Sequence, residues 1–161
     1  FHTKMGKSAS KEPFELAKQV DLNKYMGIWY VISRVGVSLE TGHCNSIDEY
    51  TMKSDGNIHV SYRANKKSVD GPATSITQTM WSVSPNNVHM KVKLIWPLIF
   101  DYYVLDVDPD YQWTLVGTKK TNFWIMARSP VMDPKLHEDL VERVKKRGFD
   151  VSKLEIVKHK Q

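Results

Sequence analysis

The segment that most limits the fold runs from Asp21 to Val35, where a short helical turn leads directly into an apolar strand. Asp21 is a cap-type residue, and apolar residues follow at about one-turn spacing before Gly27, so a short helix is expected to end at that glycine. Residues 28–35 are dense in β-branched and aromatic residues, which favours a strand. Its faces are expected to carry Trp29, Val31 and Ser33 on one side and Ile28, Tyr30 and Ile32 on the other. A strand with two apolar faces needs cover on both.

Seven further strands are predicted at short intervals after this first one, with turn signals between them. They fall within residues 47–53, 58–63, 77–81, 90–94, 101–107, 112–117 and 123–128. Residues 54–57 and 84–87 have the composition of tight hairpin turns. In the fifth strand Met90, Val92 and Leu94 alternate with two lysines, the pattern of a half-buried strand. The series is typical of an antiparallel sandwich or barrel.

An amphipathic helix is predicted after the last strand. Asp133 is a suitable N-cap, and Pro134 suits the first helical position. An apolar stripe follows and the helix should end at Gly148; the stripe consists of Leu136, Leu140, Val141 and Val144. We expect this helix to lie on the outside of the sheet, with residues 154–157 adding an edge strand.

Length and composition fit a single domain. Of the 161 residues, 41% are hydrophobic, enough for one core over residues 20–161. Residues 1–19 are polar and predict a flexible arm, from which Phe14 and Leu16 can pack on the domain. A single cysteine, Cys44, excludes an intramolecular disulfide and any zinc or redox motif that needs a thiol pair. No apolar run approaches the length of a membrane span.

The formal net charge is +5, which favours an anionic partner. Anionic lipid headgroups and nucleic acid both fit such a charge. Because the sequence has no RNA-binding signature and no helix-turn-helix pattern, we do not expect a nucleic-acid partner.

Three motifs in order resemble the signatures of the lipocalin family. The GxWY at residues 27–30 resembles the first, residues 108–111 resemble the second, and Arg128 with the segment around it resembles the third. From Val20 onward the sequence is most similar to the apolipoprotein D-like branch, which includes bacterial outer-membrane lipocalins and plant temperature-induced lipocalins. The resemblance implies an all-β fold. It would be an eight-stranded antiparallel up-and-down barrel with a short helical plug at its N-terminal end and one C-terminal α-helix packed on the outside.

The resemblance also implies a structural contact at the plugged end of the barrel. Arg128 is expected to lie over the Trp29 indole and to bond to carbonyls of the N-terminal turn. This contact would serve stability and not ligand choice. The signature positions as a whole are Gly27, Trp29, Tyr30, Asp108, Tyr111 and Arg128.

Alternation along the strands predicts an inward set that could contact a ligand. For residues 77–81 the pattern leaves the facing open, and the family pattern favours Thr77, Thr79 and Trp81 inside. An apolar lining would remove water from an elongated ligand, and tyrosine hydroxyls could orient its headgroup. The alternative is that these side chains simply fill the barrel. The inward set is Tyr50, Met52, Val60, Tyr62, Thr79, Val92, Leu94, Tyr102, Val104, Trp113, Leu115, Trp124 and Met126.

The mouth of such a barrel would lie at the end opposite the plug. Loops 36–45, 66–72, 95–100 and 119–122 are expected there, and the third, IWPLIF, is apolar throughout. Exposed apolar loops mark contact sites, so Trp96, Leu98 and Ile99 are expected to touch a bilayer, a second subunit in a homodimer, or the ligand tail. Folding of this loop into the mouth as core is the alternative.

The function expected from these patterns is non-enzymatic. We predict a carrier or scavenger of a fatty acid, lysophospholipid or similar amphiphile at the cell envelope, with no cofactor and no metal. The second hypothesis is an envelope interaction protein with a mostly filled barrel, which docks a partner or membrane through loop 95–100. If the chain is of the bacterial kind, a signal peptide and a lipid-attachment cysteine are expected upstream, with the protein in the periplasm or on the periplasmic face of the outer membrane.

Two polar groups mark less favoured alternatives. Catalysis through Cys44 is a third hypothesis, although His43 beside it should point to the opposite face. The six histidines show no metal-ligand spacing. Asp48 could face inward near the mouth and bind a cationic or hydroxylated ligand, but a polar residue already satisfied at the rim is the more usual case.

Overall fold

The computed structural model describes residues 14–119 and 121–161. The predicted flexible arm therefore lies mostly outside the described residues, and the domain boundary at residue 20 stays a prediction. In the described part the elements are α1 (Leu22–Tyr25), β1 (Gly27–Val35), a 3-10 turn (Ser38–Glu40), β2 (Cys44–Met52), β3 (Ile58–Asn65), β4 (Ala73–Ser82), β5 (His89–Ile95), β6 (Leu98–Val107), β7 (Trp113–Gly117), β8 (Phe123–Ala127), α2 (Pro134–Lys146) and β9 (Glu155–Ile156).

The strands form a closed antiparallel barrel. Strands β2 to β8 pair in sequence order, and β1 closes the sheet by pairing with both β8 and β2. The predicted eight-stranded up-and-down barrel, with α1 before its first strand and one C-terminal helix outside, is confirmed. Neither helix in the described residues is long and apolar enough to cross a bilayer.

One edge of β1 is shared between two partners. Its first half pairs with β2, from Gly27 opposite Tyr50 to Tyr30 opposite Ile47. Its second half pairs instead with β9, and beyond β9 the Asn45 amide donates to the Lys158 carbonyl at 2.8 Å. The C-terminal segment therefore fills the gap between β1 and β2 at the mouth, so it forms part of the wall there.

A bulge in β1 changes which side chains point inward. The pairing with β8 shifts between Val31 and Ser33, and Arg34 then lies opposite Trp124, an inward residue. Ser33 turns outward, and its Oγ lies 2.7 Å from His137 Nε2 on α2. The prediction that Ser33 shares the face of Trp29 and Val31 is wrong, because a bulge inserts one residue and reverses the alternation beyond it.

Helix α2 covers the outer face of β7 and β8. Asp133 caps its first turn by accepting a hydrogen bond from the Leu136 amide. Leu140 and Val144 of the helix are buried against the sheet. Trp113 and Leu115 belong to this outer cluster, so the prediction that they face the interior is wrong. The outer face of β7 is the more apolar one because it meets α2, whereas Thr114 and Val116 point inward, so alternation alone selects the wrong face.

Strand β4 faces the opposite way from the family-based expectation. Ile76 pairs with Tyr62, and Gln78 pairs with Val60. Directly opposed residues of an antiparallel pair share a face, so Ile76 and Gln78 point inward with the two β3 residues. The expected inward placement of Thr77, Thr79 and Trp81 is therefore wrong.

One predicted contact is present and one predicted strand boundary is shifted. Phe14 packs edge-on against Tyr103 at 5.3 Å between ring centroids, and Leu16 packs on the same cluster, as expected from the sequence. Strand β6 begins at Leu98, three residues before its predicted start, so loop 95–100 is mostly a tight hairpin between β5 and β6.

Candidate ligand-binding site

The plugged end of the barrel is fastened by Arg128. Its guanidinium carbon lies 3.7 Å from the centroid of the Trp29 ring. The guanidinium donates to the carbonyls of Ile28 at 2.8 Å, Lys24 at 2.7 Å, Met26 at 2.9 Å and Tyr111 at 3.2 Å. The contact implied by the family resemblance is therefore present, and it joins α1 and the turn before β7 to the start of β1.

Three tyrosines and a threonine fill the barrel above this plug. The Tyr102 hydroxyl lies 2.8 Å from that of Tyr25 and 2.9 Å from that of Tyr50, while the Tyr25 hydroxyl is 3.1 Å from Thr114 Oγ1. Burial raises the pKa of all three phenols well above the usual range, so they stay neutral. Because these hydroxyl groups hydrogen-bond to one another, they close the lower end of the barrel interior, and they do not need a ligand as a hydrogen-bond partner.

A cavity of about 620 Å³ occupies the upper part of the barrel. A smaller pocket of about 110 Å³ adjoins it below. The residues common to both pockets are Asp48, Gln78, Phe100, Asp101, Thr118 and Trp124. The barrel is therefore hollow toward the mouth and filled toward the plug. The apolar lining of the larger cavity consists of Val37, Leu39, Ile76, Leu94, Leu98, Ile99, Phe100 and Trp124.

The structure brings about half of the sequence-predicted site residues to these two cavities. Val104 and Met126 point inward but are buried in the packed lower core. Met52 is 37% exposed and Trp96 is 76% exposed, and neither lines a cavity. Thr79, Trp113 and Leu115 lie on the outer face. The predicted residues that do line the cavities are Tyr50, Val60, Tyr62, Val92, Leu94, Leu98, Ile99, Tyr102 and Trp124.

Asp48 places a carboxyl group inside the barrel. It lies on β2 opposite Trp29 on one side and Tyr62 on the other, and it lines both cavities. Burial, with a smaller contribution from Glu40, raises its pKa to about 7, and Arg34 opposes that shift. Within the described part of the chain no side chain or backbone group hydrogen-bonds to this carboxyl. The carboxyl therefore faces the cavity without a partner among the described residues, and the sequence-based expectation of a satisfied polar residue stays a prediction.

Arg34 and Glu40 form the wall beside Asp48. Arg34 is fully buried and donates to Ser46 Oγ at 2.9 Å and to the carbonyl of Glu40 at 2.7 Å, with Glu155 3.3 Å away. Glu40 accepts from Trp124 Nε1 at 3.1 Å and from the Val37 amide at 3.1 Å. The arginine charge thus lies behind the cavity surface, whereas the Glu40 carboxylate is part of that surface.

A neutral histidine is also part of the polar lining. His43 Nδ1 lies 2.9 Å from the Tyr62 hydroxyl. Burial, helped by nearby Arg34, lowers the pKa of His43, so this ring is uncharged at neutral pH.

Sequence reasoning missed four of the side chains that shape the site. Arg34 was hidden by the β1 bulge, and Ile76 and Gln78 by the misassigned face of β4. Glu40 lies in a loop, where no periodicity indicates direction. The only sequence feature that could have indicated the role of Arg34 is the occurrence of a charged residue in an otherwise largely apolar strand.

Cys44 and the histidines do not form a reactive cluster in the described residues. Cys44 is buried, its sulfur lies 3.8 Å from the Gly42 carbonyl, and it lines neither cavity. In residues 14–119 and 121–161 no group of three His, Cys, Asp or Glu residues is arranged to hold a metal ion.

A closed barrel with a plugged end and a cavity at its mouth defines a class of small-ligand-binding proteins, and comparison with known proteins specifies the family. The family model described as a lipocalin-like domain matches residues 20–159. The chain is 31% identical over 157 residues to temperature-induced lipocalin-1 of Arabidopsis thaliana, covering 89% of this chain and 82% of the relative. It is 26% identical over 134 residues to the outer membrane lipoprotein Blc of Escherichia coli K12, covering 83% and 76%.

A solved structure supports the same fold. The cockroach allergen Per a 4 superposes with a TM-score of 0.69 at 20% identity, covering 93% of this chain and 94% of that one. This chain therefore belongs to the lipocalin family, a family of proteins that bind small hydrophobic ligands. The predicted similarity to the bacterial and plant members is confirmed.

Proposed function

We propose that this protein binds and carries a small amphiphilic lipid, such as a fatty acid or lysophospholipid, at a membrane of the cell envelope. The observation that carries the proposal is the open cavity of about 620 Å³ with its apolar upper wall. This volume lies in the range of ligand pockets, and each buried methylene contributes about 0.8 kcal/mol. The hollow upper barrel favours a carrier over the alternative of a filled docking protein.

Trp124 gives a direct optical test of ligand binding in the cavity, because its ring lines both the larger and the smaller pocket. Titration with lauroyl lysophosphatidylcholine below its micelle concentration should change tryptophan fluorescence saturably, at about micromolar ligand, or about −8 kcal/mol. The change should be lost in Trp124→Phe and kept in Trp113→Phe, whose ring lies under α2. No saturable change in the parent, or a change that survives in the Trp124→Phe, Trp96→Phe double variant, would contradict the proposal.

The hairpin between β5 and β6 supports contact with an anionic membrane surface. Five successive apolar side chains around Pro97 are exposed, from Ile95 at 65% through Trp96 at 76% to Phe100 at 46%. Lys93 lies beside the hairpin on β5, and Lys119 lies at the cavity rim, where its side chain is 72% exposed although it pairs with Asp101 at 3.3 Å. An apolar tip flanked by lysines fits a bilayer of anionic lipid, with the cavity opening toward it.

Sedimentation with phosphatidylglycerol vesicles tests this contact. Trp96→Ser should weaken vesicle binding about threefold to tenfold, since tryptophan partitions strongly to the lipid interface. Val131→Ser is the matched control, because Val131 is 62% exposed and follows β8 at the plugged end. If Trp96→Ser instead abolishes a dimer seen by light scattering and leaves vesicle binding unchanged, the surface is a subunit interface.

A further inference from the structure

We propose that the cavity selects amphiphiles whose polar end donates hydrogen bonds, a protonated amine above all, over amphiphiles that end in a carboxylate, and that Asp48 makes this selection. The inference rests on the proposed carrier function and specifies the headgroup. The observation behind it is the Asp48 carboxyl, which lies at the junction of the two pockets and accepts no hydrogen bond from the described residues. It disfavours the fatty acid among the ligands expected from the sequence.

The geometry around Asp48 leaves its oxygen atoms available to a ligand. The residue lines both the larger and the smaller pocket, and no described residue donates a hydrogen bond to it. An ionised carboxylate offers about four acceptor positions, and a half-buried acceptor that lacks a partner is unfavourable. A ligand headgroup that donates hydrogen bonds would satisfy this group, whereas a carboxylate headgroup cannot.

The part of the cavity surface near Asp48 that a ligand can contact is acidic. The lining holds two further carboxyls, Glu40 on loop 36–45 and Asp101 on β6, of which Asp101 is paired with Lys91 and Lys119. The cation behind Glu40, Arg34, is fully buried and held by Ser46, by the Glu40 and His43 carbonyls and by Glu155. The remaining titratable neighbours, Tyr50, Tyr62 and His43, are neutral because burial raises the pKa of each phenol and lowers that of the imidazole.

The cation at the rim is already paired. Lys119 lies 3.3 Å from Asp101, which also binds Lys91 at 2.7 Å and His89 at 2.9 Å. A carboxylate ligand would therefore pass a rim lysine that has a partner and then meet Glu40 and Asp48. Like charges in a site of reduced dielectric repel, and opposite charges attract more strongly than in water.

The distribution of apolar residues sets the direction of the ligand. The polar groups Asp48 and Gln78 lie at the boundary between the two pockets, whereas Leu98 and Ile99 line only the larger one, on the strand that begins at the mouth. The smaller pocket below this boundary is lined mainly by apolar residues but holds only about 110 Å³, too little for a long alkyl chain. The headgroup is therefore placed at the boundary beside Asp48, and the chain extends along β6 toward the exposed hairpin.

The experiment compares three ligands of one chain length: dodecylamine, dodecanol and dodecanoate. Each is titrated below its micelle concentration while Trp124 fluorescence is followed, at about pH 8, where Asp48 is mostly ionised. We expect the amine to bind most tightly and the carboxylate most weakly, with about a tenfold or larger difference between them, equivalent to about 1.4 kcal/mol.

Asp48→Asn tests whether this residue makes the selection. Asparagine keeps the size and removes the charge, so dodecylamine should bind about tenfold more weakly, while dodecanoate should bind as well as before or better. Glu49→Gln is the matched control: the neighbouring residue points outward and pairs with Arg63 at 3.0 Å. It should change neither affinity.

The pH dependence provides a second readout with opposite signs for the two ligands. Between about pH 6 and about pH 8 the amine stays protonated and dodecanoate stays ionised, so Asp48 is the group expected to titrate. Dodecylamine should bind about tenfold more tightly at the higher pH, dodecanoate should bind more weakly, and both trends should flatten in Asp48→Asn.

The outcomes separate this inference from the carrier function. Dodecanoate binding as tightly as dodecylamine, or a preference that Asp48→Asn leaves intact, overturns the selection while the carrier function stands. If none of the three ligands binds, and lauroyl lysophosphatidylcholine also fails to bind, the carrier function is overturned and the inference with it.

Discussion

Asp48 opposes the stability of the ligand-free barrel once it ionises. Its folded pKa of about 7 lies above the value of about 3.9 expected in the unfolded chain. Between these two values the folded state binds more protons, so this residue makes stability fall as pH rises from about 4 to about 7. The carboxyl that is proposed to select the ligand is thus also a local source of instability.

Asp48→Asn should remove this pH dependence. At about pH 8 the variant should be more stable than the parent by on the order of 2 kcal/mol, and at about pH 4 the difference should be small, because the parent carboxyl is then protonated when folded. Urea unfolding at the two pH values measures both effects. Equal stability of parent and variant at the higher pH would contradict the raised pKa.

The residues of the plugged end could be predicted from the sequence, and those of the cavity only in part. The Trp29 and Arg128 contact belongs to motifs with fixed spacing, so resemblance was sufficient to place it. The state of Asp48 depends on what four other segments place around it, and no local pattern contains that information. Its inward direction was accessible from alternation, but its missing hydrogen-bond partner was not.

Strands β4 and β7 show where alternation fails at the scale of elements. In β7, Trp113 and Leu115 form a more apolar face than Thr114 and Val116, which point inward, because α2 covers the outer face. In β4, Ile76, Gln78 and Met80 alternate with threonines and a tryptophan, so neither face is plainly the apolar one. In both strands the neighbouring register decides the facing, and register is a tertiary property.

Gly117, the last residue of β7, allows a test of how closely the outer layer packs. A Cβ atom built there would lie 2.9 Å from Phe149 Cζ and 3.3 Å from the Asn122 carbonyl oxygen. Gly117→Ala should therefore lower the free energy of unfolding by about 1–3 kcal/mol, as overpacking does.

A double-mutant cycle supplies the control for that substitution. Phe149→Leu removes the nearest atoms, so Gly117→Ala should cost less in the Phe149→Leu background than in the parent, with a coupling of about 1 kcal/mol. Strictly additive losses in thermal or urea unfolding would show that the two residues do not compete for the same space.

At the scale of the whole molecule, the plugged end of the barrel is expected to stabilise the fold and the mouth end to bind the ligand. Arg128→Ala removes four hydrogen bonds to backbone carbonyls and the contact with Trp29. We expect it to lower the free energy of unfolding by about 2–4 kcal/mol, with ligand affinity at low temperature unchanged, because none of these groups lines the cavity.

Arg63→Ala is the matched control, since Arg63 forms an exposed pair with Glu49 and should contribute less than about 1 kcal/mol. Urea unfolding and lysophosphatidylcholine titration of both variants check the prediction. An Arg128 variant that stays folded but binds the ligand several-fold more weakly would show that the two ends are coupled.

The overall architecture was the part most accessible from sequence. Strand number, the terminal helix and the edge strand follow from periodicity and capping residues that act over a few positions. The division into a filled lower and a hollow upper barrel was not accessible, because inward side chains look alike in both halves. It depends on how the tyrosines of α1, β2 and β6 meet across the interior.

The fastening of the mouth loop makes the opening asymmetric. Residues 37–43 are tied to three elements, through the Arg34 bonds to the Glu40 and His43 carbonyls, the Trp124 bond to Glu40, and the Gly42 amide bond to Glu155. The hairpin across from it is held mainly by strand pairing and carries exposed apolar side chains. The mouth is therefore held by more tertiary hydrogen bonds on the side of residues 37–43 than on the side of the hairpin, and a lipid passing between membrane and barrel should cross the hairpin side.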